Sequence, residues 1–313
     1  METFLRARWS LAARSPFGFA PLLVRPLATK RSSGKRQDQS RELVQQLKSA
    51  KHPNEVSSLL NGHPEPINQF VLSAAMGQLR RFRKPSEALS LFERSRAQGL
   101  VQTVFTFSAA ISAAERLRDW QMALSLLVQM QDAGIEPNDV SYSTTISACE
   151  KGRQWEKALE LFGQMQQRGL DPDVIAYNAT ISACETARRF EEARAVFLKA
   201  HLDFCFPKIL PLGGKLELRE LSAPMARTTV RMALEDLRHE PEHRQFYKSA
   251  LEGDFGIVTG QGGLRGSGKS VLQPAIVALF EDEYKELHCE QHSQNHGLLI
   301  ISERSLRVWM ESE

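Results

Sequence analysis

Three groups of residues in this 313-residue chain have the types and spacing that chemistry requires. The first is a ladder of cations. Arg83, Arg118, Arg153 and Arg188 recur every 35 residues, and Arg81, Arg116 and Lys151 stand two residues ahead of the first three. Guanidinium groups at a fixed step can follow the phosphates of an extended nucleic-acid strand. The same positions equally suit a solvated turn between two helices, so both readings stand. The second is a glycine-rich loop in which Gly263, Gly268, Lys269 and Ser270 stand at the spacing of a nucleotide phosphate-binding loop, between an apolar strand and a helix. Only 43 residues follow Ser270, and none of the apolar stretches there ends in the aspartate that magnesium–nucleotide chemistry needs. Phosphate held by Gly260, Gly262, Lys269 and Ser270 at a helix start, without hydrolysis, is the better use of the loop. The third is His288, Cys289, His292 and His296, half of a zinc set at a spacing that fits no strong zinc pattern. It reads as a polar loop. No metal and no cofactor is expected, and no Ser–His–Asp arrangement has supporting context.

The elements that carry these groups come from self-similarity. Ile111-Ser112-Ala113-Ala114 returns as Ile146-Ser147-Ala148-Cys149 and Ile181-Ser182-Ala183-Cys184, and an Ala-Leu-x-Leu-Phe phrase from Ala88 returns near Ala123, Ala158 and Ala193. A fixed period of this length predicts a solenoid whose units bury their apolar faces against each other. Four units are read, 69–103, 104–138, 139–173 and 174–208, each of two helices. Gly99, Gly134 and Gly169 are placed to end the second helices in a left-handed residue. Pro137, Pro172 and Pro207 then prevent continuation. Phe204 replaces the glycine in the fourth unit, which is where the array is expected to end. Residues 41–68 predict an irregular helical pair capping it. After Pro211-Leu212-Gly213-Gly214 the pattern changes to short strands at 215–219, 255–258 and 297–301 and helices at 223–237 and 270–287. The fold class is thus an α-solenoid of helix–turn–helix repeats followed by a small α/β domain over 215–313.

Charge is uneven. Residues 1–40 hold eight basic and two acidic side chains, so the net charge of +3 conceals a slightly acidic remainder. The basic total therefore says nothing about nucleic acid. That first segment is rich in arginine and apolar residues, the composition of an organellar transit peptide. Mitochondrion is favoured, with plastid as the alternative. Apolar runs are far shorter than the ~20 residues a bilayer requires, so no membrane span is expected. The four cysteines form no disulfide framework.

The units resemble pentatricopeptide repeats. The resemblance rests on the 35-residue period, on first helices opening Tyr142-Ser143-Thr144-Thr145-Ile146 and Tyr177-Asn178-Ala179-Thr180-Ile181, and on the close Gly169-Leu170-Asp171-Pro172-Asp173. It implies single-stranded RNA as partner, one base per unit. It places an apolar residue against each base face at Phe70, Phe105, Val140 and Ile175. It places edge-reading residues fifth and last in each unit: Ser73 with Thr103, Ser108 with Asn138, Ser143 with Asp173, and Asn178 with Lys208. The family pattern then implies adenine for Ser108/Asn138, guanine for Ser143/Asp173 and a pyrimidine for Asn178. A role in capping helix starts is the competing reading of these polar residues. Four bases are too short a word to select one transcript, so protein partners, the capping helices or the last domain are expected to add contacts.

Residues 215–313 resemble the small MutS-related (Smr) domain through Leu216-Glu217-Leu218-Arg219, Thr259-Gly260-Gln261-Gly262 and Asn295-His296-Gly297. That family's nuclease-linked motif carries Asp and His where this chain has Glu217 and Arg219. Arginine stays protonated and cannot act as a base, so nucleic-acid binding is expected and no catalytic residue is assigned, with Glu217 the candidate if the domain cleaves. Three functions remain in play: organellar RNA binding in processing, stability or translation; an RNA endonuclease; and a protein-binding scaffold.

Overall fold

A computed structural model of the chain describes residues 33–62, 67–202, 215–219, 221–239, 253–260 and 272–312. Helix α1 (Ser33–Ser49) runs across the 40/41 boundary and packs with α2 (Pro53–Asn61) on the first unit. Four helix pairs follow: α3 (Gln69–Arg81) and α4 (Pro85–Ala97), α5 (Val104–Arg116) and α6 (Trp120–Asp132), α7 (Asp139–Lys151) and α8 (Trp155–Gln167), α9 (Val174–Thr186) and α10 (Phe190–Leu202). Each first helix packs against both helices of the preceding unit.

Local sequence sets each boundary. Asn68, Thr103, Asn138 and Asp173 cap the first helices, their side-chain oxygens accepting from backbone N–H groups two or three residues on. First helices end in a left-handed residue: Arg83, Arg118, Arg153 and Arg188 have φ of 57, 60, 57 and 57°. The N–H of Lys84 returns to the carbonyl of Leu79, and that of Arg83 to Arg80, which closes the last turn. Second helices end the same way at Gly99, Gly134 and Gly169, with φ near 70°. Arginine accepts this conformation at about 1 kcal/mol relative to glycine.

The repeated core is built from Ile111, Ile146 and Ile181, all fully buried, and from Ala88, Ala123, Ala158 and Ala193, which let the paired helices close up. Burial of one isoleucine stabilises by about 1.5–3 kcal/mol. Aromatic edges lock consecutive units, Phe92 on Phe107 at 5.1 Å and Phe162 on Tyr177 at 5.0 Å between ring centres.

The last domain is a four-stranded sheet in the order β1 (Lys215–Glu217), β2 (Phe255–Val258), β4 (Leu298–Ile301), β3 (Cys289–Gln291). β1 and β2 are parallel and joined through α11 (Ala223–His239); β4 runs antiparallel to both its neighbours. Helices α12 (Leu272–Glu283) and α13 (Glu303–Glu311) complete it. β3 and α13 were not anticipated from the sequence. The final helix is short and amphipathic, with Leu306 and Trp309 buried and Val308 exposed. Among the described residues no helix is long and apolar enough to cross a membrane.

Candidate nucleic-acid interface

The N-terminal ends of the first helices form one continuous surface. Phe70, Phe105, Val140 and Ile175 stand there 68, 44, 48 and 58% exposed, while Val71, Phe107, Tyr142 and Tyr177 beside them are buried. Four bulky apolar side chains held in water at one repeat position need an explanation that folding does not supply. Neighbouring packed helices lie about 8–10 Å apart, a step that admits one flat ring between consecutive apolar side chains.

In the second and third units the fifth and last residues are brought together beside this surface, Ser108 and Asn138 half-buried, Ser143 buried and Asp173 exposed. Ser143 Oγ donates to Asp173 Oδ1 at 2.9 Å. Ser108 Oγ lies 2.9 Å from Ser141 Oγ, which donates to Asn138 Oδ1 at 2.8 Å. Both expected pairs are therefore brought together, one directly and one through a serine. The last residues also cap the next first helix, so the capping reading and the edge reading describe the same atoms. A carboxylate or amide fixed by its cap is a preorganised partner for a base edge. Ser73 is half-buried and Thr103 is engaged with Thr106 in a reciprocal capping box. Asn178 donates to the Val174 carbonyl at 2.8 Å and accepts from Ser222 of the last domain at 2.6 Å. Lys208 lies outside the described residues.

The arginine ladder sits at the other end of the first helices. From Ser108 to Arg118 the axis rises about 15 Å, so bases and phosphates fall on the two rows only if the strand lies across the helices with its backbone towards the turns. Arg83, Arg118, Arg153 and Arg188 are exposed. Of the cations two residues earlier, Lys151 forms an ion pair with Glu115 across the unit boundary, and Arg81 lies 5.8 Å from the Phe82 ring centre.

In the α/β domain the three motifs converge at one end of the sheet. Thr259 N–H and Gly260 N–H donate to the Gly297 carbonyl at 2.8 and 3.2 Å. Gly260 has φ 78°, and a Cβ there would meet the Arg219 side chain at 3.2 Å. Arg219 grips Glu217 in a fork, Nε to Oε1 at 2.7 Å and Nη2 to Oε2 at 2.9 Å. Both oxygens of the only carboxylate considered for cleavage are thereby engaged. Gly262, Lys269 and Ser270 lie outside the described residues. His292 Nδ1 accepts from the N–H groups of Gln294 and Asn295 at 3.2 and 3.1 Å, so this ring closes a turn. Among the described residues no group of three or more His, Cys, Asp or Glu could hold a metal ion.

Taken together this is a stack of helix pairs presenting one exposed apolar position per step. The pentatricopeptide repeat domain model matches residues 90–152 and 125–187, and the model of the single repeat matches 175–201. This stretch is built of pentatricopeptide repeats. A comparison with curated protein sequences finds no match. Among solved structures, the pentatricopeptide repeat protein PPR10 from maize is similar at 22% identity, over 79% of this chain and 33% of that one, with a TM-score of 0.51. PPR10 in complex with an 18-nt psaJ RNA element is similar at 21% identity, over 79 and 32%, TM-score 0.48. The repeat domain of Arabidopsis thaliana protein-only RNase P 1, in complex with tRNA, is similar at 15% identity, over 56 and 92%, TM-score 0.45. The chain thus spans about one third of the length of PPR10.

Proposed function

We propose that the repeat array binds single-stranded RNA, one nucleotide per unit, and acts in an organelle on transcript processing, stability or translation by occupying its site. The observation that carries this is the exposed stripe of Phe70, Phe105, Val140 and Ile175, set beside polar pairs already bonded to one another. An apolar wall and a fixed polar edge are the two things an unpaired base needs. The strained arginines support it. Four exposed side chains occupy a backbone conformation in which glycine would be more stable. The Smr-like domain adds nucleic-acid contacts, and the Glu217–Arg219 fork, which engages both carboxylate oxygens, favours binding over cleavage. Protein partners supply the specificity that about four bases lack. The acid-poor segment 1–40 supports an organellar address, mitochondrion before plastid.

The test is binding of short RNAs across a salt series. Changing Arg118 and Arg153 to Gly should raise thermal stability, by about 1 kcal/mol each, yet weaken binding to every sequence and flatten the salt slope by about 0.7 per lost contact. Replacing Ser108, Ser143 and Asn178 together by Ala should erase base preference and leave the salt-dependent binding. A more stable arginine variant with unaltered affinity and slope would remove the ladder, and an unaltered base preference in the triple variant would remove the reading of bases.

A further inference from the structure

We infer that Ser222, a residue of the α/β domain, completes the base-reading site of the fourth unit. The inference rests on the RNA reading proposed above and adds a specificity residue that lies outside the array.

In the second and third units the residue that caps the following first helix reaches back to the fifth position, Asp173 to Ser143 and Asn138, through Ser141, to Ser108. The fourth unit has no fifth unit after it. What packs against α9 and α10 instead is α11. Ser222 precedes that helix, and its carbonyl accepts the first helical bond, from Ala226 N–H at 2.8 Å. Its hydroxyl donates to Asn178 Oδ1 at 2.6 Å. The pair of positions is that of Asp173 and Ser143, one unit on, with the donor exchanged: Ser143 donates to Asp173, whereas Asn178 accepts from Ser222.

A second contact supports the same placement. Nine residues after Asn138 and Asp173 stand Ser147 and Ser182, which donate to Glu115 at 3.2 Å and Glu150 at 2.9 Å. Nine residues after Ser222 stands Arg231, which bonds Glu185, the next glutamate in the 35-residue series. Glu185 also accepts from Thr228, six residues after Ser222, so α11 lies on the glutamate that the next first helix would cover. Ser222 therefore takes the place of Asn138 and Asp173, beside exposed Ile175 and half-buried Asn178.

The chemistry gives a clean test. A serine hydroxyl donates or accepts; a carboxylate only accepts. Cytosine offers a lone pair at ring position 3 and uracil an N–H. Ser222→Asp keeps a good helix cap, so the full chain should retain its melting temperature. RNAs carrying C or U at each position in turn are titrated against wild type, Ser222→Asp and Asp173→Ser. Ser222→Asp should shift the ratio towards U about tenfold, at the base adjacent to the one whose preference moves in Asp173→Ser. If Asp173→Ser moves its base and Ser222→Asp moves none, the assignment of Ser222 is wrong and the RNA reading stands. If neither moves any base, both fall. Ser222→Asn, another good cap, repeats the test should the aspartate lower the melting temperature, and an unchanged C-to-U ratio in it overturns the assignment equally.

Discussion

Two junctions in this molecule use the same glutamate in different ways. Between units, Glu115 and Glu150 accept from a serine of the next first helix, and the Glu115 side chain keeps 16% of its surface in water with Lys151 at its side. At the end of the array the equivalent Glu185 is 1% exposed. It accepts from Thr228 at 2.6 Å, from Arg227 at 3.3 Å and from Arg231. Arg231 in turn forks onto Glu283 at 2.6 and 2.7 Å and lies 3.8 Å from the Phe190 ring centre. Burial pulls the Arg231 guanidinium towards losing its proton, but Glu283 and Glu185 outweigh that, and its pKa is raised. A unit boundary can be made from apolar packing, one neutral donor and, at Glu115, a partly exposed ion pair, because the same boundary recurs. The boundary with a different fold is made once, and it uses a desolvated charge network that tolerates no missing member.

That contrast predicts the largest effect. Glu185→Ala leaves Arg231 buried with half its partners gone and should cost about 3–5 kcal/mol, seen as early loss of amide protection in α11. Glu150→Ala removes only a serine's acceptor and should cost about 1 kcal/mol. Equal costs would show the two junctions to be of one kind.

Next in size is a contrast between two glycines of the array. A Cβ on Gly152 would lie 2.3 Å from Trp120 Cδ1, whereas one on Gly163 meets nothing within 4 Å. Gly152→Ala should destabilise by about 1–3 kcal/mol, and Gly163→Ala, inside α8, should stabilise by about 0.5–1 kcal/mol. Thermal unfolding of the two variants reads both signs. A neutral Gly152→Ala would mean that the unit boundary yields where packing says it should not.

The smallest effect concerns thiols. Burial pushes Cys149 and Cys184 in the array, and Cys289 in the sheet, up to about 12. A pKa raised in the folded state favours the protonated native thiol. The stability it contributes is whole below the unfolded value near 9 and is lost as pH rises towards 12. Native alkylation at pH 8 should therefore be slow for all three, slowest for the fully buried array pair, and fast on unfolding. Rapid labelling of Cys149 at pH 8 would contradict its packing.

The array was legible because its information is written four times. Helix starts at Gln69, Val104, Asp139 and Val174 follow from the period, and the capping residues just before them from their type. The left-handed state of Arg83, Arg118, Arg153 and Arg188 was not legible, since nothing in an arginine announces positive φ; only the recurrence of the turn carries it. The α/β domain is written once. Its strands at 255–258 and 298–301 show as apolar runs, but β3, which contains Cys289 and Glu290, has no such run. Ser222 illustrates the limit best. Ser-Ala-Pro is a readable helix start, yet its bond to Asn178 spans 44 residues and belongs to the docking of two domains.

The docking of α11 on α9 and α10 has a consequence for descent. With α1 and α2 covering one face of the array and α11 the other, both outer faces are spoken for. Duplication of an interior block would then lengthen the array while disturbing neither end. A 35-residue copy inserted at Asp173 would meet native neighbours on both sides, so kin of this chain should differ by whole steps in the middle while the two flanks stay the same.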